Sequence, residues 1–237
     1  MTSAEASFGA ADSPAARAIA ASMLAAMAQS MQRRVLADAL LVDVPAGSTI
    51  YRDDDDPRCL LVVAGLVRVV VSAPDGRSLT VAYARASELL GVATIVSGPA
   101  PVSAQMVTDA QILLLRARTL AALGQTEPAV GWMLARAVTQ RLYDTIDAVA
   151  DTGFGSLQQR VARHLLDLAT VQPDGRLVAV VTQQALAEAV GSARPAVARV
   201  VAELRALGLV APASPGIALL DAEGLHDHTW AGSVSHR

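Results

Sequence analysis

Lysine and asparagine are missing altogether from this 237-residue chain, aromatic side chains make up only 3% of it, and it holds a single cysteine, Cys59. One thiol cannot close a disulfide within the chain, nor can it build a cysteine-based zinc or iron–sulfur cage. Long apolar runs are also lacking. The longest uncharged stretch, Leu89 to Thr108, is interrupted by Gly91, Gly98, Pro99 and Pro101, so it is expected to form strands and turns and no membrane partner is expected. Ala18 to Ala28 has the apolarity of a short signal core, but Glu5 and Asp12 precede it with only one Arg. That charge is wrong for export, and the expected location is the cytoplasm.

Enzyme signatures are equally absent: there is no glycine-rich phosphate loop, no Gly-x-Ser-x-Gly elbow and no His-Glu-x-x-His helix, so no catalytic residue and no cofactor is expected. The four acids Asp53 to Asp56 lack the glycine spacing of a calcium loop and read as a solvated turn. His226 and His228 have no third ligand nearby, so they are expected to be solvent-exposed rather than a metal site.

What is present is 53% apolar residues, enough for one large domain or two of ordinary size, with Ala alone supplying about a fifth of the chain. The net charge is −3, which argues against a nucleic-acid partner only if it is spread evenly. Residues 1–150 hold 12 Arg against 14 acids, whereas residues 156–210 hold 6 Arg against 4 acids. Three of those six, Arg194, Arg199 and Arg205, fall in one short segment.

An Ala-rich helical start, Ala15 to Leu41, gives way near Val42 to a run of short strands: Thr49 to Tyr51, Cys59 to Val63, Leu66 to Val71, Ser78 to Tyr83 and Ile112 to Leu115. Asp75-Gly76 is a hairpin signal. Many short strands at close spacing predict a barrel or jelly roll. From Pro128 to about Val149 the residues Val130, Leu134, Val138, Leu142, Ile146 and Val149 recur at three- and four-residue spacing, which predicts one helix about 30 Å long. One face can lie on the barrel while the apolar seam pairs with its copy in a second subunit; burial wholly within one subunit is the alternative. Ser156 is placed to cap the next helix after Gly153-Phe154-Gly155.

Thr182 can cap a helix carrying Leu186, Ala189 and Val190, and Gly191 supplies a sharp exit. A second helix follows at once, with Ser192 as expected cap and Pro195 in its first turn. Val197, Val200, Val201 and Leu204 make an i, i+3, i+4, i+7 stripe that must pack inward. Arg194 and Arg199 fall outside it. A helix–glycine turn–helix of this kind can present Arg to the major groove, where the planar guanidinium fork matches O6 and N7 of guanine. Ala193, Ala196 and Ala198 leave room for close approach, and Gln183 and Gln184 are placed to hold phosphate. The plain alternative is two solvated charges on an amphipathic helix. Leu207-Gly208-Leu209-Val210 and the turn Pro215-Gly216 before Ile217 to Leu220 add a β-hairpin, which makes a winged helix-turn-helix the better account.

The run from Val181 to Leu204, with Gly191, Arg194 and Arg199 in place and Gly208-Leu209-Val210 beyond it, resembles the Crp/Fnr superfamily of bacterial transcription regulators. The segments Pro45 to Tyr51, Leu61 to Val69 and Asp75-Gly76-Arg77 resemble its cyclic-nucleotide-binding-like barrel. The resemblance extends from about Leu36 to Leu225. It implies an α+β protein in three parts: an effector domain at 1–127, a dimerisation helix and hinge at 128–152, and a winged helix-turn-helix at 153–237. It further implies a homodimer on double-stranded, pseudo-palindromic DNA, with Arg194 and Arg199 as base readers and Ser192, Ala193, Pro195, Thr182 and Gln183 at the interface. An activator of this kind would also meet RNA polymerase. Pro195 stands where the family commonly has an acidic reader, which keeps open a ligand- or partner-binding module with a degenerate DNA-binding domain.

The resemblance breaks at the effector site. Cyclic-nucleotide binders of the family follow a Gly-Glu pair, ten residues after the Glu, with Arg-Ser/Thr-Ala; here the matching positions are Gly91-Val92 and Val102-Ser103-Ala104. A phosphate buried beside two Val would lack the charge-assisted bonds that offset its desolvation, so no response to cyclic AMP is expected. Leu90, Gly91, Val92, Val102 and Ser103, facing Arg141, Leu142 and Thr145 by analogy, would line a pocket for an unidentified uncharged effector or be filled by their own side chains.

Overall fold

A computed structural model describes residues 13–51, 58–72, 78–214 and 216–230. The chain divides into two compact units, Met1–Asp144 and Thr145–Arg237. In the first, helices α1 (Pro14–Ala21) and α2 (Gln29–Leu36) precede strands β1 (Leu40–Val44), β2 (Thr49–Tyr51), β3 (Cys59–Ala64), β4 (Val67–Ser72), β5 (Ser78–Ala84) and β6 (Leu89–Leu90). Then come α3 (Val92–Ser97), β7 (Ser103–Met106), β8 (Ala110–Leu115), α4 (Ala117–Thr126) and the long α5 (Pro128–Phe154). The strands form two antiparallel sheets, ordered β1-β8-β3-β6 and β2-β7-β4-β5, which make a jelly roll.

Strand β3 shows why the sequence closes this way. Its side chains alternate between two cores. Leu60 and Val62 pack between the sheets with Tyr51, Val67, Leu90, Met106 and Ile112. Cys59, Leu61 and Val63 face the other way, into a cluster with Leu24, Val35, Leu113, Leu120, Val130 and Leu134. A strand buried on both faces has no polar alternation, which is why Cys59 to Val63 reads as a continuous apolar run.

Three expectations are corrected in this unit. The helical start is not continuous to Leu41. Buried Ser22 donates to the Ile19 carbonyl at 2.8 Å and accepts from the Leu24 amide at 3.2 Å, and this local bonding ends α1. Second, the stretch Leu89 to Thr108 contains the helix α3, entered through Gly91 at φ +80, where a Cβ would collide with the Arg58 carbonyl oxygen. Third, the row Val130, Leu134, Val138, Leu142, Ile146 is not one seam. Each four-residue step overshoots a full turn by about 40°. Val130 and Leu134 therefore lie buried on the barrel, while Val138, Leu142 and Ile146 have rotated to the exposed side. The side chain of Val149, the acidic turn at Asp53 to Asp56 and the Asp75-Gly76 turn lie outside the described residues.

The second unit begins within the last turns of α5, which runs through Gly153 to Phe154. A reciprocal capping box opens α6 (Leu157–Leu168): Ser156 Oγ accepts from the Gln159 amide at 3.2 Å, and the Gln159 side chain accepts from the Ser156 amide at 2.7 Å. Strands β9 (Ala169–Val171) and β10 (Leu177–Ala179), helices α7 (Gln183–Ala189) and α8 (Arg194–Ala206), strands β11 (Val210–Pro212) and β12 (Ile217–Leu219), and α9 (Ala222–Trp230) complete it. The strands form one sheet, β11-β12-β10-β9. Helix α9 packs along α6 and buries His226, so this histidine is not the exposed tail residue expected; His228 is half-buried, its Nδ1 donating to the Gly224 carbonyl at 2.9 Å. His236 lies outside the described residues.

Burial of Cys59 on β3 pushes its thiol up to about 12. It is therefore protonated at pH 8 and walled off from reagent. Native protein is expected to resist iodoacetamide at pH 8 and to take up one equivalent only on unfolding in urea, as read by mass; rapid native labelling would contradict the two-faced burial of β3.

Candidate nucleic-acid interface

Thr182 is the cap of α7: its Oγ accepts from the Ala185 amide at 3.1 Å. The turn out of α7 is closed by hydrogen bonds from the Val190 amide to the Leu186 carbonyl (3.0 Å) and from the Ser192 amide to the Ala187 carbonyl (2.9 Å), with Gly191 at φ +62. Helix α8 then begins at Arg194. Its cap is Ala193, which makes no side-chain cap bond, rather than Ser192 as expected; the Ser192 amide instead closes the preceding turn. Pro195 sits in the first turn, where no helical acceptor is lost.

Val197, Val200 and Leu204 are buried, and Val201 is half-buried at their edge. These residues hold α8 against α6 and α7. Arg194, Arg199, Ala193 and Pro195 lie outside this stripe and are all exposed; Thr182 and Gln183 at the start of α7 are exposed, and Ser192 is half-buried. Gln184 differs from expectation: its amide donates to Glu188 at 2.7 Å, so it is engaged within its own helix. The wing follows directly. Gly208 at φ +75 ends the helix, β11 pairs with β12 from Val210↔Leu219 to Pro212↔Ile217, and the Ala213 amide bonds the Gly216 carbonyl at 3.0 Å. Pro215 lies outside the described residues.

The residues expected around an effector do not converge on one space. Leu90 and Val102 both pack between the sheets, because Leu90 sits opposite Leu60 in register. Val92, one residue past the Gly91 turn, belongs to the opposite, helix-side cluster. Ser103 is half-buried at the start of β7, Thr145 is half-buried on α5, and Leu142 is exposed. Arg141 is engaged: it donates to the Tyr83 carbonyl at 3.1 Å and lies 4.0 Å from Glu88, which is 3.8 Å from Arg85. Sequence reasoning does not single out this link, nor the buried Tyr51, whose hydroxyl accepts from the Ala100 amide at 3.0 Å.

A jelly roll, a long helix and a winged helix-turn-helix with two arginines outside its apolar stripe define a DNA-binding transcriptional regulator with an effector-type barrel. Comparison with known proteins makes this specific. Residues 41–127 match the family model of the cyclic nucleotide-binding domain, and residues 159–228 match that of the Crp-like helix-turn-helix domain. Transcriptional regulator LdrP of Thermus thermophilus is 31% identical over 182 residues, covering 75% of this chain and 90% of that protein. The CRP-like cAMP-activated global transcriptional regulator of Mycobacterium tuberculosis is 28% identical over 191 residues, covering 78% of this chain and 85% of that protein. Among solved structures, a Crp/Fnr-family transcriptional regulator from Eubacterium rectale aligns over 88% of this chain and 97% of its own at 19% identity, with a TM-score of 0.58, a likeness of fold. The chain belongs to the Crp/Fnr family of transcriptional regulators. No helix among the described residues is long and apolar enough to cross a membrane.

Desolvation raises the Glu88 carboxyl above its ordinary 4.5, against the pull of Arg141 and Arg85. A raised carboxyl binds its proton more tightly in the folded chain than in the unfolded one, so its charge weakens the fold above the folded pKa, and that penalty fades as pH falls toward 4.5. Glu88→Gln is thus expected to raise the thermal midpoint at pH 7 and to lose this advantage by about pH 4; a midpoint lowered at pH 7 would show that the ion pairs outweigh desolvation.

Proposed function

We propose that this chain is a homodimeric, sequence-specific regulator that reads a pseudo-palindromic operator through Arg194 and Arg199 and does not respond to cyclic AMP. One observation carries the proposal: both arginines stand on α8 outside the buried stripe of Val197, Val200 and Leu204 that anchors it. A helix so anchored can enter the major groove with its N-terminal end foremost, and Arg there can pair with both O6 and N7 of guanine. Ser192, Ala193, Pro195, Thr182 and Gln183 border the same surface, where short side chains allow close approach and hydroxyl or amide groups can meet phosphate.

Dimerisation is supported by the outer side of α5. Trp132 is 70% exposed, Leu142 56%, Tyr143 57% and Ile146 53%. Apolar side chains of this size left in water along one helix are what a second copy would cover. Two winged units set one duplex turn apart, about 34 Å, would match a two-fold operator. Insensitivity to cyclic AMP is supported by the effector positions, where Val92 and Val102 offer no charged partner and the nearby acid Glu88 is paired with Arg141 and Arg85. A small-molecule effector, if the barrel takes one, carries no phosphate. Such a regulator works in the cytoplasm, and as an activator it would also meet RNA polymerase.

Arg194→Ala and Arg199→Ala are each expected to cost about 1–3 kcal/mol of operator affinity and to relax base preference at one position per half-site, measured by anisotropy on operators selected from random DNA. Unchanged discrimination in both variants would dispose of these assignments. Replacing Val138 and Leu142 together by Glu is expected to give monomers in sedimentation and to abolish tight operator binding, whereas a variant that stays dimeric would locate the interface elsewhere.

A further inference from the structure

The winged unit carries a cleft of about 310 Å³ set back from the base-reading tip of α8. It lies between the start of α7, the last turns of α8 and the wing, and its walls include Thr182, Gln183, Val201, Arg205, Pro212 and Gly216. Arg205 is the one cation among its described lining residues, and it is exposed. No described residue forms an ion pair with Arg205. Thr182 Oγ uses a lone pair on the Ala185 amide, which leaves its O–H to donate, and the exposed Gln183 amide can donate as well.

The position of Arg205 on α8 relates this cleft to the two base readers. Eleven residues separate it from Arg194, about 1,100° of helix, which is within about 20° of three full turns, and about 16.5 Å of rise. Val201, seven residues after Arg194, falls on the same edge. Arg194, Val201 and Arg205 therefore form one flank of the helix, and the last two line the cleft. A helix about 10–12 Å across fills a major groove about 12 Å wide, so its flanks face the phosphate walls while its tip faces the bases. With the tip of α8 in the groove, Arg205 lies three turns back along the flank, beyond the reach of base edges and beside the sugar–phosphate backbone.

We infer that the cleft between the wing and α7 seats a backbone phosphate of duplex DNA, held by Arg205 with Gln183 and Thr182 as neutral donors. The inference rests on the DNA-binding function proposed above and adds a contact that positions α8 without reading sequence. A phosphodiester is a single anion with two free oxygens, which suits a guanidinium fork. The apolar walls, Val201, Val210 and Ile217, lower the local dielectric and strengthen that pair.

The test is a salt titration of binding to a random-sequence 30-base-pair duplex by the full chain. Each phosphate contact contributes about 0.9 to the slope of log affinity against log salt, so Arg205→Gln is expected to flatten the slope by about 1.8 for a dimer. Arg205→Lys is expected to restore it, because a phosphate accepts a point charge. The loss should be the same on a selected operator and on random duplex, unlike that of Arg199→Ala. If the parent chain shows a steep slope that Arg205→Gln leaves unchanged, the cleft holds no phosphate, even though the DNA-binding assignment stands. A lowered unfolding midpoint with an unchanged slope likewise overturns the phosphate site, reducing Arg205 to a cation at a helix C-terminus. A parent chain with no salt dependence would overturn the DNA-binding assignment and this site with it.

Discussion

Val197, Val200 and Leu204 impose the constraint on which the rest of this molecule depends. Each is buried, and burying one such side chain is worth about 1.5–3 kcal/mol relative to leaving it in water. Together they fix the rotation of α8. A turn of one residue, about 100°, would carry an Arg toward the core, where an unpaired guanidinium is far more costly than an exposed valine. The apolar stripe therefore determines which charges meet the solvent, and the Gly191 turn determines where the helix starts. Function on this unit is a consequence of packing: a rigid helix with small residues between its cations, next to a two-stranded wing.

The barrel unit shows the opposite relation between fold and chemistry. Its jelly roll is preserved by a strand, β3, that supplies both cores at once, and by the Gly91 turn that launches α3 beside it. The family's fold is thus built here with the aliphatic Val92 just after β6 and Val102 just before β7. In this chain the polar links around the barrel are internal. Arg141 ties α5 to the Tyr83 carbonyl and to Glu88, and the Tyr51 hydroxyl bonds the Ala100 amide in the loop before β7. Such bonds can hold a barrel and its helix in one arrangement without a bound anion.

Much of this is legible in the sequence. The strands of the barrel, the helix–glycine–helix, the wing and the position of Arg194 and Arg199 outside the apolar stripe all follow from local period and turn chemistry, where a residue's own neighbours decide its conformation. The helical start is not legible to Leu41 because Ser22 satisfies backbone groups in two directions, a competition that apolar spacing does not register. The long helix is more instructive. Spacing by fours looks like one seam, yet a 3.6-residue helix rotates that row steadily, so its first members belong to the barrel and its later ones do not. His226 escapes a sequence reading because burial of the last helix depends on α6, some sixty residues away. The residues expected to line an effector pocket are the least legible: Leu90 and Val92 are two positions apart in sequence but belong to different cores, a fact set by the pairing of β6 with β3 and by the Gly91 turn rather than by either residue alone. The placement of Arg205 does have a sequence signal, since it repeats Arg194 at three turns.

The central claim, that guanidinium forks on α8 read guanine from the major groove, is tested most directly by methylation interference on operator fragments selected by the protein itself. Methylation of guanine N7 removes the acceptor that the fork requires. The account predicts that binding is blocked by N7 methylation at guanines in two symmetric half-sites, with centres about one helical turn apart. Binding that tolerates N7 methylation throughout the protected fragment would contradict it.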